Sequence, residues 1–137
     1  MIQAKTVLEA WDKTFETMDF KHLAQYLSDD FQFEDTTGEL DNLENTKSWC
    51  VAGGLRINNF KTIRENENYI VATHDVIQEG KPKSNVLVYA EQTNGKFIYW
   101  KITSNDTPIY SETINYVIKN FFYTFIGPVM ISHSYAG

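Results

Sequence analysis

One carboxylate in this sequence is placed where it could act as a general base, Asp35 in the stretch "FQFED". If that stretch is a strand, alternate side chains share a face, so Asp35 follows Phe31 and Phe33 toward the apolar side. Burial there would disfavour the charged form and raise the pKa of Asp35 toward the range of a general base. Alternatively, Asp35 caps its own turn through the backbone amides of Thr37 or Gly38.

A second proton-transfer candidate is His74 in the strand-like stretch "NYIVATHDVIQ". Alternation places it on one face with Ile70, Ala72 and Val76, which we expect to turn inward. There the imidazole could donate to a substrate oxygen, or it could simply be a hydrogen-bonded core histidine. His74 and Asp75 are adjacent on the strand and face opposite ways, so they cannot form a catalytic dyad.

The same alternation predicts an apolar wall around these two groups. An apolar lining with a few polar groups is typical of small-molecule sites, although aromatic stripes more often pack a core. The sequence is 15% aromatic, which is rich enough for either role. The predicted ligand-binding residues are Trp11, Phe15, Trp49, Leu87, Tyr89, Trp100 and Ile102.

Other chemistries have little support in the sequence. His22, His74 and His133 lack the close spacing of a metal site, so we predict no metal. Cys50 is the single cysteine, and Gly53-Gly54 lacks the flanking pattern of a phosphate-binding loop. We therefore predict a site without any cofactor.

These residues must be positioned by a helix-rich first part and a strand-rich second part. An apolar stripe at spacings of four, four and three predicts a helix over about residues 3–18; it consists of Val7, Trp11, Phe15 and Met18. A second helical turn, the short strand and a helix over about residues 43–52 follow. From residue 55 onward, β-branched and aromatic runs separated by turns, among them Asn94-Gly95, predict four antiparallel strands.

The last part of the chain is apolar but broken by polar residues. Its spacing predicts an amphipathic helix from Ser111 to Ile126, with a strand from Phe121 to Ile126 as the alternative. Lys119, Asn120 and Gly127-Pro128 interrupt it too often for a membrane-spanning helix.

Composition narrows the range of partners. The chain has 137 residues, the size of one domain, and a net charge of −6 without a basic run, which argues against nucleic acid and membrane partners. The start lacks a signal-peptide pattern, so we expect a cytoplasmic protein. An apolar outer sheet face would favour a homodimer; it comprises Tyr69, Val71, Phe97 and Tyr99.

The element order, together with "YLSDDFQFEDTTG" and the later "TNGKFIYWKI", resembles the nuclear transport factor 2-like superfamily, including its SnoaL-like and ketosteroid isomerase branches. The resemblance covers roughly residues 4–105. It implies an α+β fold in which a cone-shaped, curved antiparallel sheet wraps a long N-terminal helix, a cystatin-like α+β roll. We expect one SnoaL-like domain over residues 1–137, with a core to about residue 105 and a C-terminal extension over about 106–137.

In the isomerase branch the catalytic base lies in an acidic stretch that ends in Gly, and Asp35 falls on that base. Trp11 falls where that branch has its oxyanion-binding tyrosine, and Leu87 falls near its assisting acid, so the oxyanion hole is missing. The resemblance implies a protein with a pocket for a small apolar ligand. Such a protein could be a cofactor-free isomerase, dehydratase or cyclase acting on a small cyclic substrate. The alternative is a non-catalytic ligand-binding or dimerisation module of the same fold.

Overall fold

The structure is a computed structural model, and it describes residues 1–104. The first helix, α1, spans Ala4–Thr17, as its apolar stripe predicted, and it ends at Met18, whose left-handed backbone lets its N–H donate to Thr14 O. The short α2 covers Lys21–Ala24. The third helix, α3, spans Leu43–Cys50 and begins where the Asn42 side chain accepts from Asn45 N.

Six strands form one sheet in the described part of the chain. They are β1 (Leu27–Glu34), β2 (Leu40–Asn42), β3 (Leu55–Glu65), β4 (Tyr69–Gln78), β5 (Ser84–Thr93) and β6 (Lys96–Ser104), and their spatial order is β2-β1-β6-β5-β4-β3. The predicted antiparallel arrangement of β3 to β6 is confirmed. The sheet as a whole is mixed, because β1 pairs with β6 in parallel, with Phe33 opposite Trp100.

The sheet packs one face against α1, and this contact forms the core. Val7, Trp11 and Phe15 of the predicted stripe are buried against inward side chains of β1, β3, β4, β5 and β6 in one hydrophobic cluster, whereas Met18, at the end of the helix, is exposed. Trp100, Phe31 and Phe97 are the largest fully buried side chains in that cluster. The predicted α+β class, a long N-terminal helix against a curved sheet, is therefore confirmed.

The β5–β6 hairpin contains a one-residue irregularity that decides which side chains face the core. Thr93 pairs with Lys96 and Gln92 with Phe97 next to the Asn94-Gly95 turn, but Glu91 then pairs with Tyr99. Ile98 is the extra residue, as in a β-bulge. Beyond it, the pairing partner of every β6 residue is shifted by one, and Trp100 lies opposite Ala90.

Several predictions concern residues outside the described range. The C-terminal helix from Ser111 to Ile126, its strand alternative and the extension over 106–137 lie there, so the single-domain assignment stays a prediction. Within residues 1–104, no helix is long and apolar enough to cross a membrane.

Candidate functional site

A small cavity lies between α1 and the inward face of the sheet. Its volume is about 100 Å³, its wall is mainly apolar, and it is partly open to solvent. The lining residues in the described part of the chain are Trp11, Phe15, Phe33, Trp49, Leu55, Ile57, His74, Val76, Val86, Trp100 and Ile102. Six of the predicted site residues are among them: Trp11, Phe15, Trp49, His74, Trp100 and Ile102.

Five aromatic rings dominate the cavity wall. The Trp11 ring centroid lies 5.2 Å from that of Trp100, 5.9 Å from those of Phe15 and Trp49, and 6.0 Å from that of Phe33. Phe33 meets Trp49 edge to face at 5.0 Å. These separations are typical of favourable aromatic pairs, so the rings support one another as well as enclose the cavity.

The indole N–H groups differ in how they are satisfied. Trp49 Nε1 donates to Asp41 Oδ2 at 3.2 Å, which fixes the orientation of that ring. Trp11 Nε1 is buried and finds no hydrogen-bond partner in the part of the chain that the structure describes. A buried donor without a partner costs roughly 1–3 kcal/mol.

His74 is the only titratable side chain among the described residues that line the cavity. Its residue is 5% exposed, and its Nδ1 lies 3.1 Å from the carbonyl oxygen of Asp75. Desolvation by burial lowers the pKa of His74 below its ordinary value, although the Asp75 carbonyl and carboxylate partly oppose this effect. The imidazole is therefore neutral at pH 7.

Asp75 lies on the opposite face of the sheet, as alternation predicted. Its carboxylate accepts from Asn85 Nδ2 at 2.9 Å and Asn59 Nδ2 at 3.2 Å, and Lys83 Nζ lies 3.1 Å from it. The hydrogen bond from Asn85 is the main reason why the pKa of Asp75 lies below its ordinary value. A His74–Asp75 dyad is thus excluded by the geometry.

Asp35 does not reach the cavity, and the prediction that it is a buried base with a raised pKa is wrong. The strand β1 ends one residue earlier, at Glu34. The Asp35 Oδ1 atom instead accepts from the Thr37 hydroxyl at 2.6 Å and from the backbone N–H groups of Thr37 and Glu39 at 2.8 and 3.0 Å. These bonds, led by that from the Thr37 hydroxyl, lower the pKa of Asp35. The turn-capping alternative is the correct one.

Replacing Asp35 by alanine is expected to lower the free energy of unfolding by about 0.5–2 kcal/mol, because the turn loses a charged acceptor of several hydrogen bonds. Asp35→Asn keeps an acceptor oxygen and should cost less. Urea denaturation of the two variants measures both values. A cost for Asp35→Asn as large as that for Asp35→Ala would show that the capping oxygen is not what matters.

Leu87 and Tyr89 also lie outside the cavity, which corrects the prediction that they bind the ligand. Without the bulge at Ile98, the Asn94-Gly95 turn would pair Tyr89 with Trp100; with it, Tyr89 pairs with Lys101. Their neighbours Val86 and Val88 face inward instead, and Val86 lines the cavity.

On the outer face, the Tyr89 hydroxyl donates to Glu91 Oε2 at 2.7 Å. Burial, followed by this contact, raises the pKa of Tyr89. Two of the residues expected to form an outer face too apolar to be fully wetted are buried in the single chain, Tyr69 at 4% exposed and Val71 at 1%. Phe97 belongs to the core, where it meets Trp100 edge to face at 5.3 Å. The apolar outer face is therefore smaller than the sequence suggested, and the homodimer stays a prediction.

Sequence reasoning missed three lining residues, Leu55, Ile57 and Val86. Leu55 and Ile57 alternate at the start of β3, which is a signal that could have identified them. Val86 could be found only from the true β5–β6 register. Among residues 1–104, no group of three or more metal-binding side chains lies together, and burial raises the pKa of the Cys50 thiol, which makes it a poor nucleophile.

A curved sheet that encloses an aromatic cavity against a long N-terminal helix defines this chain as an α+β roll with an internal pocket. No family model matches the chain, and no curated protein matches it. Solved structures do. An NTF2-like (nuclear transport factor 2-like) protein of unknown function from Cytophaga hutchinsonii has a TM-score of 0.64 and 14% identity, over 80% of this chain and 96% of its own.

Two other solved structures resemble this chain in the same way. A candidate isomerase from Rhodopseudomonas palustris has a TM-score of 0.61 and 11% identity, over 78% of this chain and 93% of its own. An NTF2-like protein from Anabaena variabilis has a TM-score of 0.59 and 20% identity, over 76% of this chain and 87% of its own. At these identities the likeness concerns the fold: the chain has the nuclear transport factor 2-like fold that its sequence pattern suggested.

Proposed function

We propose that this protein binds a small apolar molecule in the cavity between α1 and the sheet, without catalysing its conversion. The observation that carries the proposal is the cavity wall, in which five aromatic rings surround a space with His74 as its one titratable group among the described lining residues. Such a wall favours an apolar ligand and supplies a single polar contact to orient it.

The size of the cavity sets the size of the ligand. An apolar protein cavity of about 150 Å³ holds one benzene molecule. The present cavity is somewhat smaller, at about 100 Å³, but it is partly open, so a single-ring molecule could extend beyond it.

The positions of the carboxylates favour binding over acid/base catalysis. Asp35, the base expected from the sequence, is held in its own turn with a lowered pKa. No Asp or Glu is among the described residues that line the cavity. The name of the Rhodopseudomonas palustris protein adds little, because a likeness at 11% identity extends to the fold and not to the site.

A pair of substitutions on neighbouring residues of β4 tests the proposal. Val76 lines the cavity, whereas the next residue, Ile77, is 40% exposed. Calorimetric titration with toluene, indole and cyclohexanone should detect binding to the wild type and to Ile77→Phe. Val76→Phe fills the cavity, so its affinities should be at least about tenfold weaker. Equal binding by both variants, or no binding of any probe to the wild type, would contradict the proposal.

Two further features proposed from the sequence accompany this function. We propose a homodimer, which sedimentation velocity at micromolar concentration tests, because a single monomeric species would contradict it. The proposed cytoplasmic location can be tested by fractionating cells that express the chain.

A further inference from the structure

We propose that the ligand of the cavity is a neutral phenol whose hydroxyl group donates a hydrogen bond to Nε2 of His74. This inference rests on the proposed function and specifies the ligand class of the same site. Three observations support it: the hydrogen bond that Nδ1 of His74 makes, the neutral charge of the imidazole, and the apolar wall of the cavity.

The contact of Nδ1 fixes the tautomer of His74. A backbone carbonyl oxygen only accepts hydrogen bonds, so the 3.1 Å contact between Nδ1 and the Asp75 oxygen places the proton on Nδ1. A neutral imidazole carries one N–H, and Nε2 is therefore an acceptor. The cavity wall thus offers a ligand a nitrogen lone pair at His74.

The surroundings of His74 keep its imidazole uncharged. The side chains that line the cavity around it from the other elements carry no charge: Trp11 from α1, Trp49 from α3 and Val86 from β5. Phe60 from β3 meets the imidazole edge to face at 6.4 Å. Asp75 is the one charged group of residues 1–104 that acts on the ring, and burial outweighs its effect. The ring is therefore neutral and keeps its acceptor at pH 7.

The Nε2 acceptor requires a hydrogen-bond donor as its partner. Within the described part of the chain, no hydrogen-bond donor to Nε2 is found. An acceptor nitrogen in an apolar cavity wall gains from a ligand O–H and gains nothing from a carbonyl or ether oxygen, which presents only lone pairs. A flat ring with one hydroxyl fits both the aromatic wall and the nitrogen. An aromatic cage can also hold an organic cation, but the described wall lacks a carboxylate to neutralise it.

The test compares phenol with toluene, which has nearly the same shape but lacks the hydroxyl. The wild type should bind phenol about tenfold more tightly than toluene, as expected for one added hydrogen bond. His74→Phe keeps a flat ring and removes the acceptor, so it should still bind toluene and should lose the preference. Toluene binding without a preference for phenol overturns this inference and leaves the proposed function intact. If neither probe binds, the proposed function fails as well.

A pH series and an NMR measurement separate the hydrogen bond from a simple packing effect. As the pH falls through the pKa of His74, which burial lowers below the ordinary value of 6.5, protonation of Nε2 removes the acceptor, so phenol affinity should fall while toluene affinity changes less. Nitrogen-15 spectra of the imidazole should show the Nδ1–H tautomer at pH 7.5. An Nε2–H tautomer, a pH-independent phenol preference, or tetramethylammonium binding tighter than phenol would each overturn the inference.

Discussion

Replacing Trp11 by alanine is expected to lower the free energy of unfolding by about 3–5 kcal/mol, the usual cost of truncating a large buried aromatic side chain. Trp11 is 3% exposed, and its ring is the one that meets all four other rings of the cavity wall. The substitution removes these contacts and enlarges the cavity. The remaining side chains of α1 and the sheet can close the space only partly, because they are held by their own neighbours.

Urea denaturation followed by circular dichroism measures this loss. The matched control is Met18→Ala at the end of the same helix, where the side chain is 56% exposed and the backbone is left-handed for either residue. That change should cost less than about 0.5 kcal/mol. The loss of stability in Trp11→Phe should fall between those of Trp11→Ala and Met18→Ala. This variant keeps the test usable if Trp11→Ala does not fold. A cost below about 1 kcal/mol for Trp11→Ala would mean that the ring cluster contributes little to the core.

Replacing Asp12 by alanine is expected to cost about 1–3 kcal/mol, because it leaves a buried backbone N–H without its acceptor. Asp12 Oδ1 accepts from Ile57 N at 3.0 Å, and Ile57 is 4% exposed. Both carboxylate oxygens also accept from Arg56, from Nε and Nη2, each at 2.8 Å. Asp12 therefore fixes α1 to β3, the edge strand from which Ile57 contributes to the cavity wall.

Arg56→Ala is the control that separates the ion pair from the backbone contact. The Arg56 side chain is 46% exposed, so losing the ion pair alone should cost less than about 1 kcal/mol. Denaturation of Asp12→Ala, Arg56→Ala and the double variant gives each contribution. Equal costs for the two single variants would contradict the role assigned to the Ile57 N–H.

The effect of Asp12 should also depend on pH. Burial by itself would raise the pKa of Asp12, but the hydrogen bonds from Arg56 and Ile57 outweigh it and lower the pKa below its ordinary value of 3.8. The stabilisation is therefore fully present above about pH 4 and is lost as the pH falls through the lower, folded-state pKa. The difference in stability between the wild type and Asp12→Ala should shrink in that acid range.

Local patterns in the sequence determined most of the elements and much of the cavity wall. The α1 stripe, the turns between β3 and β6 and the alternation along β4 each depend on residues close in the chain, so period and turn chemistry suffice to predict them. These local patterns correctly predicted that Trp11, Phe15 and His74 face inward. Trp49, Trp100 and Ile102 also line the cavity.

Only the tertiary structure decided the rest of the site. Alternation cannot tell whether a strand ends at Glu34 or one residue later, and hydrogen bonds from Thr37 and Glu39 hold Asp35 in the turn. The bulge at Ile98 inverts which β5 side chains oppose Trp100, because a shift of one residue exchanges the two faces of a strand. The parallel pairing of β1 with β6 joins segments about seventy residues apart, and such a contact depends on how the whole sheet packs against α1.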